Sequence, residues 1–128
     1  MNPYVLVAIG GVFGAISRLA VSTFAAARWG VAFPVGTLII NISGSAAMGF
    51  VLTFLPEHFG GGHDASLLIA TGFLGACTTF STFAFESVGL SQRDRHGSML
   101  LNLSASVLGG AAGATIGILL ATLVNRVV

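Results

Sequence analysis

Long apolar segments alternate with short polar ones along the whole chain. The apolar segments cover residues 4–27, 33–55, 65–90 and 97–124, and most charged side chains lie between or beyond them. A helix needs about 20 mostly apolar residues to cross the hydrocarbon core of a bilayer, so this pattern predicts four transmembrane helices. We therefore expect an all-α membrane protein in which residues 1–128 form a single four-helix domain with both termini on one side.

The composition excludes a water-soluble fold. Only 7% of the 128 residues are charged and 55% are hydrophobic, whereas soluble domains average roughly 25% charged residues. The net charge of +1 comes from five arginines and four acids, with no lysine. The chain thus lacks the basic surface that binds nucleic acid or anionic headgroups. We expect it to be surrounded by the lipid bilayer and to have no nucleic-acid partner.

The connections between the segments determine the predicted orientation. The second connection holds three consecutive glycines at 60–62 and is predicted to be a flexible, exposed loop. Arg28, Arg93 and Arg95 lie in the first and third connections, while the side that carries the termini has only Arg126. The positive-inside rule places the arginine-bearing loops in the cytoplasm, but so small a bias also permits both orientations of one chain. The number of arginines on each side therefore does not decide between a single orientation and dual topology.

Three polar side chains fall within the apolar segments at a similar depth. Arg18, Asn41 and Glu86 lie at comparable distances from the same membrane face if each residue rises by about 1.5 Å. An ionisable residue in a membrane normally has a partner or faces a water-filled cavity. The sequence leaves two interpretations open: Arg18 forms an ion pair with Glu86, or Arg18 lies in a solvated vestibule.

The third segment contains a stretch with poor helix propensity. Two glycines at 72 and 75 precede the hydroxyl-rich, β-branched run of residues 78–82. A break in a membrane helix is tolerated where the freed backbone groups line a cavity or bind an ion. A continuous helix, with its hydroxyls bonded to the preceding turn, is the alternative. The residues alone do not distinguish a broken third helix from a continuous one.

Phe80 and Phe83 are three residues apart and share one helix face. Such a pair ordinarily packs in a core. Aromatic rings also carry a positive edge, which in a narrow cavity offers a weak contact to an anion without a fixed charge. Spacing does not decide between these two roles.

Three sequence motifs resemble those of the Fluc (CrcB) family of small fluoride channels. They are GGVFGAISR at 10–18, PVGTLIINISG at 34–44, and GFLG at 72–75 followed by TTFSTF at 78–83. Together with the four-span length, the resemblance covers nearly the whole chain. It implies a passive, fluoride-selective channel in a bacterial inner membrane, built as an antiparallel, dual-topology homodimer with two pathways. It also implies that the third helix is broken at mid-membrane.

The resemblance also implies roles for individual residues. Phe80 and Phe83 would line the pathways and Asn41 would offer its amide to fluoride, with Thr37, Ser81, Thr82 and Ser106 continuing a polar track. The backbone carbonyls of Gly75 and Thr78 would bind a structural sodium ion at the dimer centre. Members of the family often have a tyrosine four residues before the serine equivalent to Ser106, where this chain has Asn102. We therefore expect a wetter or differently gated end of the pathway on that helix.

Two other functions fit a four-helix membrane protein. A small, dimeric, proton-coupled exporter typically has an acid in its first span, where this chain has Arg18. A non-transporting scaffold held by glycine packing leaves the polar residues of the third segment without a role. An enzyme is not expected, because no acid–base pair or nucleophile with its base lies within the apolar segments.

Overall fold

The computed structural model describes residues 1–58 and 63–127, and these residues are helical apart from short connections. Four stretches, each long and apolar enough to cross a membrane, are found in this part of the chain: Pro3–Trp29, Val35–His58, His63–Gln92 and His96–Val127. The prediction of an all-α fold with four such helices is confirmed. The predicted glycine-rich loop at 60–62 lies outside the described residues.

The third stretch consists of two helical parts. We name the helices α1 (Pro3–Trp29), α2 (Val35–His58), α3 (63–77), α4 (Phe80–Gln92) and α5 (His96–Val127). Helix α3 is itself mixed, with a π-helical segment, Leu67–Leu74, between single α-helical turns at His63–Ser66 and Gly75–Cys77.

Local sequence explains where α1 begins and ends. The Asn2 side chain accepts a hydrogen bond from the Tyr4 amide (2.9 Å), and Pro3 occupies the first helical position, where its missing N–H costs nothing. Gly30 ends the helix with a φ of 77°, a conformation that suits glycine. The short connection that follows leads directly into α2.

The chain leaves the helical conformation at Thr78 and Thr79, between α3 and α4. Thr78 has φ −78° and ψ 156°, and Thr79 has φ −153° and ψ 119°. Both residues have an extended backbone conformation, which β-branched residues prefer. The Thr79 hydroxyl accepts a hydrogen bond from the Thr82 amide (3.2 Å), so Thr79 caps the start of α4. Of the two possibilities left open by the sequence, the structure has the interrupted helix.

The helices alternate in direction. At one end, the Arg95 guanidinium donates to the Ala32 carbonyl, which joins the first and third connections. At the other end, the amino group of Met1 lies 3.1 Å from the Asp64 carboxylate. Asn125 at that end donates to the Thr53 carbonyl (3.4 Å). Both chain ends therefore lie at the same end of the bundle.

Glycines allow the two most extensive helix contacts, α1 with α3 and α2 with α5. A Cβ at Gly10 or Gly14 would clash with backbone atoms of α3, at Leu68 and Phe73 respectively. A Cβ at Gly117 would clash with the backbone of Ala46 in α2. Small residues let helices approach closely in lipid, where packing drives their association. Many large apolar side chains remain exposed on the outside, as expected of a surface covered by lipid.

Gly117→Ala is expected to destabilise the protein by about 1–3 kcal/mol, because the added methyl has no room against the α2 backbone. The free energy of unfolding in detergent, measured by SDS titration, checks this. Gly97→Ala on the same helix is the matched control, because its Cβ would have no neighbour within 4 Å. Equal free energies of unfolding for the two variants would contradict the packing described here.

Candidate functional site

A groove with a volume of about 570 Å³ runs beside the helix break, between α2, α4 and α5. Several residues that the sequence singled out line it together: Asn41, Thr78, Phe80, Phe83 and Ser106. Thr79, which sequence reasoning did not place in the site, lines it as well. The break therefore creates the groove by bringing backbone, hydroxyl, amide and aromatic groups to one place.

Asn41 holds the break in place. Its Nδ2 donates to the Thr79 carbonyl, and its Oδ1 accepts from the Thr79 amide, both at 2.9 Å. The interruption deprives the Thr79 amide of its helical acceptor, the Gly75 carbonyl, and an unpaired backbone N–H in an apolar surrounding is costly. An asparagine amide nitrogen carries two hydrogens, and only one is used here. Asn41, which lines the groove, therefore supports the backbone and retains one N–H with no partner among the described residues.

The two phenylalanine rings are adjacent but differ in exposure. Their centroids are 5.6 Å apart and their planes are tilted by 56°. Phe83 is only 7% exposed, whereas Phe80 is 79% exposed within the single chain. Phe83 therefore packs within the chain, whereas the Phe80 ring projects outward from the groove on the exposed face of α4.

The hydroxyls at the start of α4 form a local cluster. The Thr79 hydroxyl lies 3.2 Å from Ser81 Oγ and 3.1 Å from Thr82 Oγ1. Ser81 and Thr82 are exposed on the chain's surface, while Thr79 is buried. The signal for Thr79 was its place as a threonine just before a helix, which is typical of an N-cap.

Thr37 and Glu86 meet at the middle of α4. Buried Thr37 donates from its hydroxyl to Glu86 Oε1 at 3.0 Å. Both residues line a second cavity of about 230 Å³, to which Arg93 from the third connection also contributes. This cavity shares no lining residue with the groove. It lies toward the end of the bundle where Arg95 contacts Ala32.

Arg18 and Glu86 do not form an ion pair within the chain. The ion pairs in the described ranges are Met1 with Asp64 and Asp94 with His96. Gly14, one turn before Arg18, packs against Phe73 of α3, and residues four apart share a helix face. Arg18 is thus directed toward α3, whereas Glu86 lies on α4 beside α2. Similar depth was therefore not sufficient for the two side chains to meet.

The backbone around Gly75 differs from that of a continuous helix. The Thr79 amide, which would donate to the Gly75 carbonyl in an unbroken helix, donates to Asn41 Oδ1 instead. The last regular bond of α3 joins the Thr78 amide to the Leu74 carbonyl at 2.9 Å. Gly75 itself has ordinary helical angles, φ −62° and ψ −36°, so the position does not need glycine for its conformation.

Ser106 and Asn102 on α5 face different surroundings. Ser106 lines the groove, and its buried hydroxyl has no hydrogen-bond partner among the described residues. Asn102 is 1% exposed and donates from Nδ2 to Ser87 Oγ at 2.9 Å. Within the single chain, Asn102 is therefore enclosed between α5 and α4 and is not among the residues that line the groove.

Comparison with known proteins agrees with the sequence motifs. A model of the family described as "CrcB-like protein, Camphor Resistance (CrcB)" matches residues 5–118. The "Fluoride-specific ion channel FluC" of Legionella pneumophila (strain Paris) is 41% identical over 119 residues, 93% of this chain and 89% of the relative. "Fluoride-specific ion channel FluC 1" of Moorella thermoacetica is 42% identical over 120 residues, 94% and 86% of the two chains.

A third relative matches nearly end to end. The protein of Acidobacterium capsulatum, also named "Fluoride-specific ion channel FluC", is 37% identical over 125 residues, which is 98% of each chain. The resemblance read from the three motifs is confirmed by the family model and these relatives. The chain therefore belongs to the CrcB-like protein family.

Proposed function

We propose that this protein is a fluoride-selective ion channel that lets fluoride leave the cell passively. The observation that carries the proposal is the groove at the helix break, which joins Asn41, Phe80, Phe83 and Ser106, in a chain whose relatives are named fluoride-specific ion channels. A channel that conducts fluoride is a transport protein and not an enzyme. It is a multi-pass protein of a bacterial membrane, with fluoride and lipid as its partners.

The chemistry of the groove suits a small, strongly hydrated anion. A selective pore must replace water by close hydrogen-bond donors and still release the ion. The second N–H of Asn41 and the hydroxyl of Ser106 are such donors, and neither is neutralised by a charged neighbour in the groove lining. The positive edges of Phe80 and Phe83 add weak attraction. The groove lining holds no fixed charge, so fluoride is not bound too tightly to leave.

Liposomes loaded with fluoride or chloride test this function. We expect the purified protein to release fluoride and not chloride, at a rate that is unaffected by a transmembrane proton gradient once the membrane voltage is clamped. Fluoride release that requires a proton gradient favours the small four-helix exporter. Empty liposomes taken through the same reconstitution provide the background, and a rate no higher than theirs favours the scaffold.

The assembly we propose is an antiparallel homodimer with two pathways. In one chain the groove is open on the side where Phe80 projects, and a second copy facing this side would close it. Three arginines lie in the connections at one end of the bundle and one, Arg126, lies at the other end. So small a difference supports insertion in both orientations. The break at Thr78 and Thr79 lies near the centre of the span His63–Gln92, which supports a break at mid-membrane.

Labelling from each side of the membrane tests the orientation. In a Cys77→Ala background, Val31→Cys introduces a thiol into the first connection, where Val31 is well exposed. A membrane-impermeant maleimide is expected to label about half of the chains from each side, because antiparallel dimers require equal numbers. Labelling from one side only would contradict dual topology.

We further propose a sodium ion at the dimer centre, held by the Gly75 and Thr78 carbonyls of both chains. The Gly75 carbonyl loses its helical donor to Asn41, and Thr78 is extended, so both belong to backbone released by the break. Carbonyl oxygens freed in this way are costly in an apolar region unless a cation or donor satisfies them. Sodium would neutralise this cluster of dipoles where the two chains meet.

Gly75→Val is expected to abolish dimers while leaving the chain folded. Within one chain the added Cβ would meet only the Ala70 carbonyl, at an ordinary 3.6 Å, so damage must come from the partner or the ion. Crosslinking in bilayers measures the dimer, and far-UV circular dichroism measures the helices. Gly97→Val is the control, with no neighbour within 4 Å.

Replacing sodium by a large organic cation throughout purification should also reduce crosslinked dimers and fluoride flux together. Unchanged dimer and flux after rigorous sodium removal would overturn the sodium proposal without affecting the channel assignment.

A further inference from the structure

Asn102 is the largest side chain in the described ranges to be almost wholly enclosed, with 1% of its surface exposed. It lies near the N-terminal end of α5, and its neighbours along the sequence are mostly apolar or small. A primary amide in such surroundings is costly unless it is hydrogen-bonded. Its burial therefore indicates a specific partner, and that partner is on α4.

A chain of two hydrogen bonds connects Asn102 to the groove. Asn102 Nδ2 donates to Ser87 Oγ at 2.9 Å, and Ser87 Oγ donates to the Phe83 carbonyl at 2.8 Å. A serine hydroxyl has one hydrogen and two lone pairs. Donation from Asn102 occupies a lone pair and leaves the serine hydrogen for the Phe83 carbonyl. The chain ends on the backbone of a residue whose ring lines the groove.

The hydrogen bond between Asn102 and Ser87 lies close to residues on both sides of the groove. Phe83 lies one helical turn before Ser87 on α4, and Ser106 lies one turn after Asn102 on α5. Both Phe83 and Ser106 line the groove. The Asn102–Ser87 bond therefore joins the helix that carries Phe83 to the helix that carries Ser106, one turn away from each of these residues.

The body of α4 is joined to α2 by the hydrogen bond from Thr37 to Glu86, and its other fastenings are few. The break at Thr78 and Thr79 ends its helical continuity with α3, and its packing on α5 is much less extensive than that of α2. The Asn41 bonds hold the break itself but act before the first turn of α4. The Asn102–Ser87 bond is the buried side-chain hydrogen bond that joins the body of α4 to α5.

We propose that Asn102 is a positioning residue for fluoride selectivity, which acts through Ser87 on Phe83 and does not contact the ion. The proposal rests on the proposed channel function. Asn102 orients the Ser87 hydroxyl, and this hydroxyl in turn holds the Phe83 backbone. Together the two bonds determine the distance between the edge of the Phe83 ring and the Ser106 hydroxyl.

A double-mutant cycle tests this link. The variants are Asn102→Leu, which keeps a similar volume, Ser87→Ala, and the two combined. Liposome flux gives the ratio of fluoride to chloride release, and crosslinking gives the dimer fraction. Each single variant is expected to lower the selectivity ratio by about three- to tenfold, the effect of one hydrogen bond. The double variant is expected to equal the single ones, because both break the same link.

The control is Thr122→Val on α5, whose exposed hydroxyl bonds only to the Ile118 carbonyl of its own helix; its selectivity should match the parent. Unchanged selectivity in all three variants would overturn the proposal and leave Asn102 a purely structural residue. Effects that multiply in the double variant, or failure of both single variants to assemble, would do the same. A parent protein that passes no fluoride overturns the channel function itself and is recognised before any variant is compared.

Discussion

Asn41→Asp is expected to reduce fluoride flux at least a hundredfold, more than any other single substitution in the groove. The carboxylate would still accept from the Thr79 amide, but its second oxygen would face the Thr79 carbonyl, to which Asn41 now donates. It would also place a negative charge in the groove. A like charge about 4 Å from an ion raises its energy by roughly 4 kcal/mol at an effective dielectric constant of 20, or about a thousandfold in rate.

Two variants separate charge from the loss of a donor. Asn41→Ala removes both bonds to Thr79 and the free N–H but adds no charge, so we expect a smaller loss, about tenfold. Asn2→Asp is the control for the amide-to-acid change, because an N-cap aspartate still accepts the Tyr4 amide. Flux through liposomes, normalised to dimer content, measures all three. Equal flux for Asn41→Asp and Asn41→Ala would show that the anion does not approach this residue.

Phe80→Ile and Phe83→Ile are each expected to lower fluoride flux about tenfold, because the positive ring edge is lost and an apolar side chain remains. The two differ in their effect on stability. Phe83 is buried and its replacement leaves a void within the chain, whereas Phe80 is 79% exposed in the single chain and its replacement leaves none there. Phe80→Ile is therefore the cleaner test of the electrostatic role.

Phe13→Ile is the matched control, since Phe13 is 61% exposed on α1 and lines neither cavity. Its flux should equal that of the parent. Normal flux in both Phe80→Ile and Phe83→Ile would mean that the rings serve only in packing, the alternative that their spacing left open.

The sequence was sufficient for the four helices because bilayer thickness sets the length of an apolar segment and the polar residues punctuate it. It also singled out Asn41, Phe80, Phe83 and Ser106, which line one groove in the structure. Asn41, Phe80 and Phe83 lie in the motifs, and Ser106 was added from the family resemblance outside them. The polar or aromatic character of all four within apolar segments could be recognised from the sequence alone.

Contacts between residues that are far apart along the chain could not be predicted from the sequence. The link between Asn41 and Thr79 joins residues 38 positions apart, and it exists because one side chain pairs with both the N–H and the C=O of Thr79. The sequence left open whether Arg18 pairs with Glu86 or lies in a vestibule; the two do not pair within the chain, because depth can be counted along a helix but the direction of a side chain around it depends on packing. The enclosure of Asn102 by Ser87 was hidden for the same reason.

The reversal potential in a planar bilayer distinguishes a passive fluoride channel from a coupled exchanger and from an unselective pathway. With a tenfold fluoride gradient and equal chloride on both sides, a fluoride-selective channel is expected to reverse at about 59 mV of the sign set by fluoride. Imposing a proton gradient should leave this value unchanged. A reversal potential near zero would show that fluoride is not selected, and one that shifts with the proton gradient would show coupled exchange; either result would contradict a passive fluoride channel.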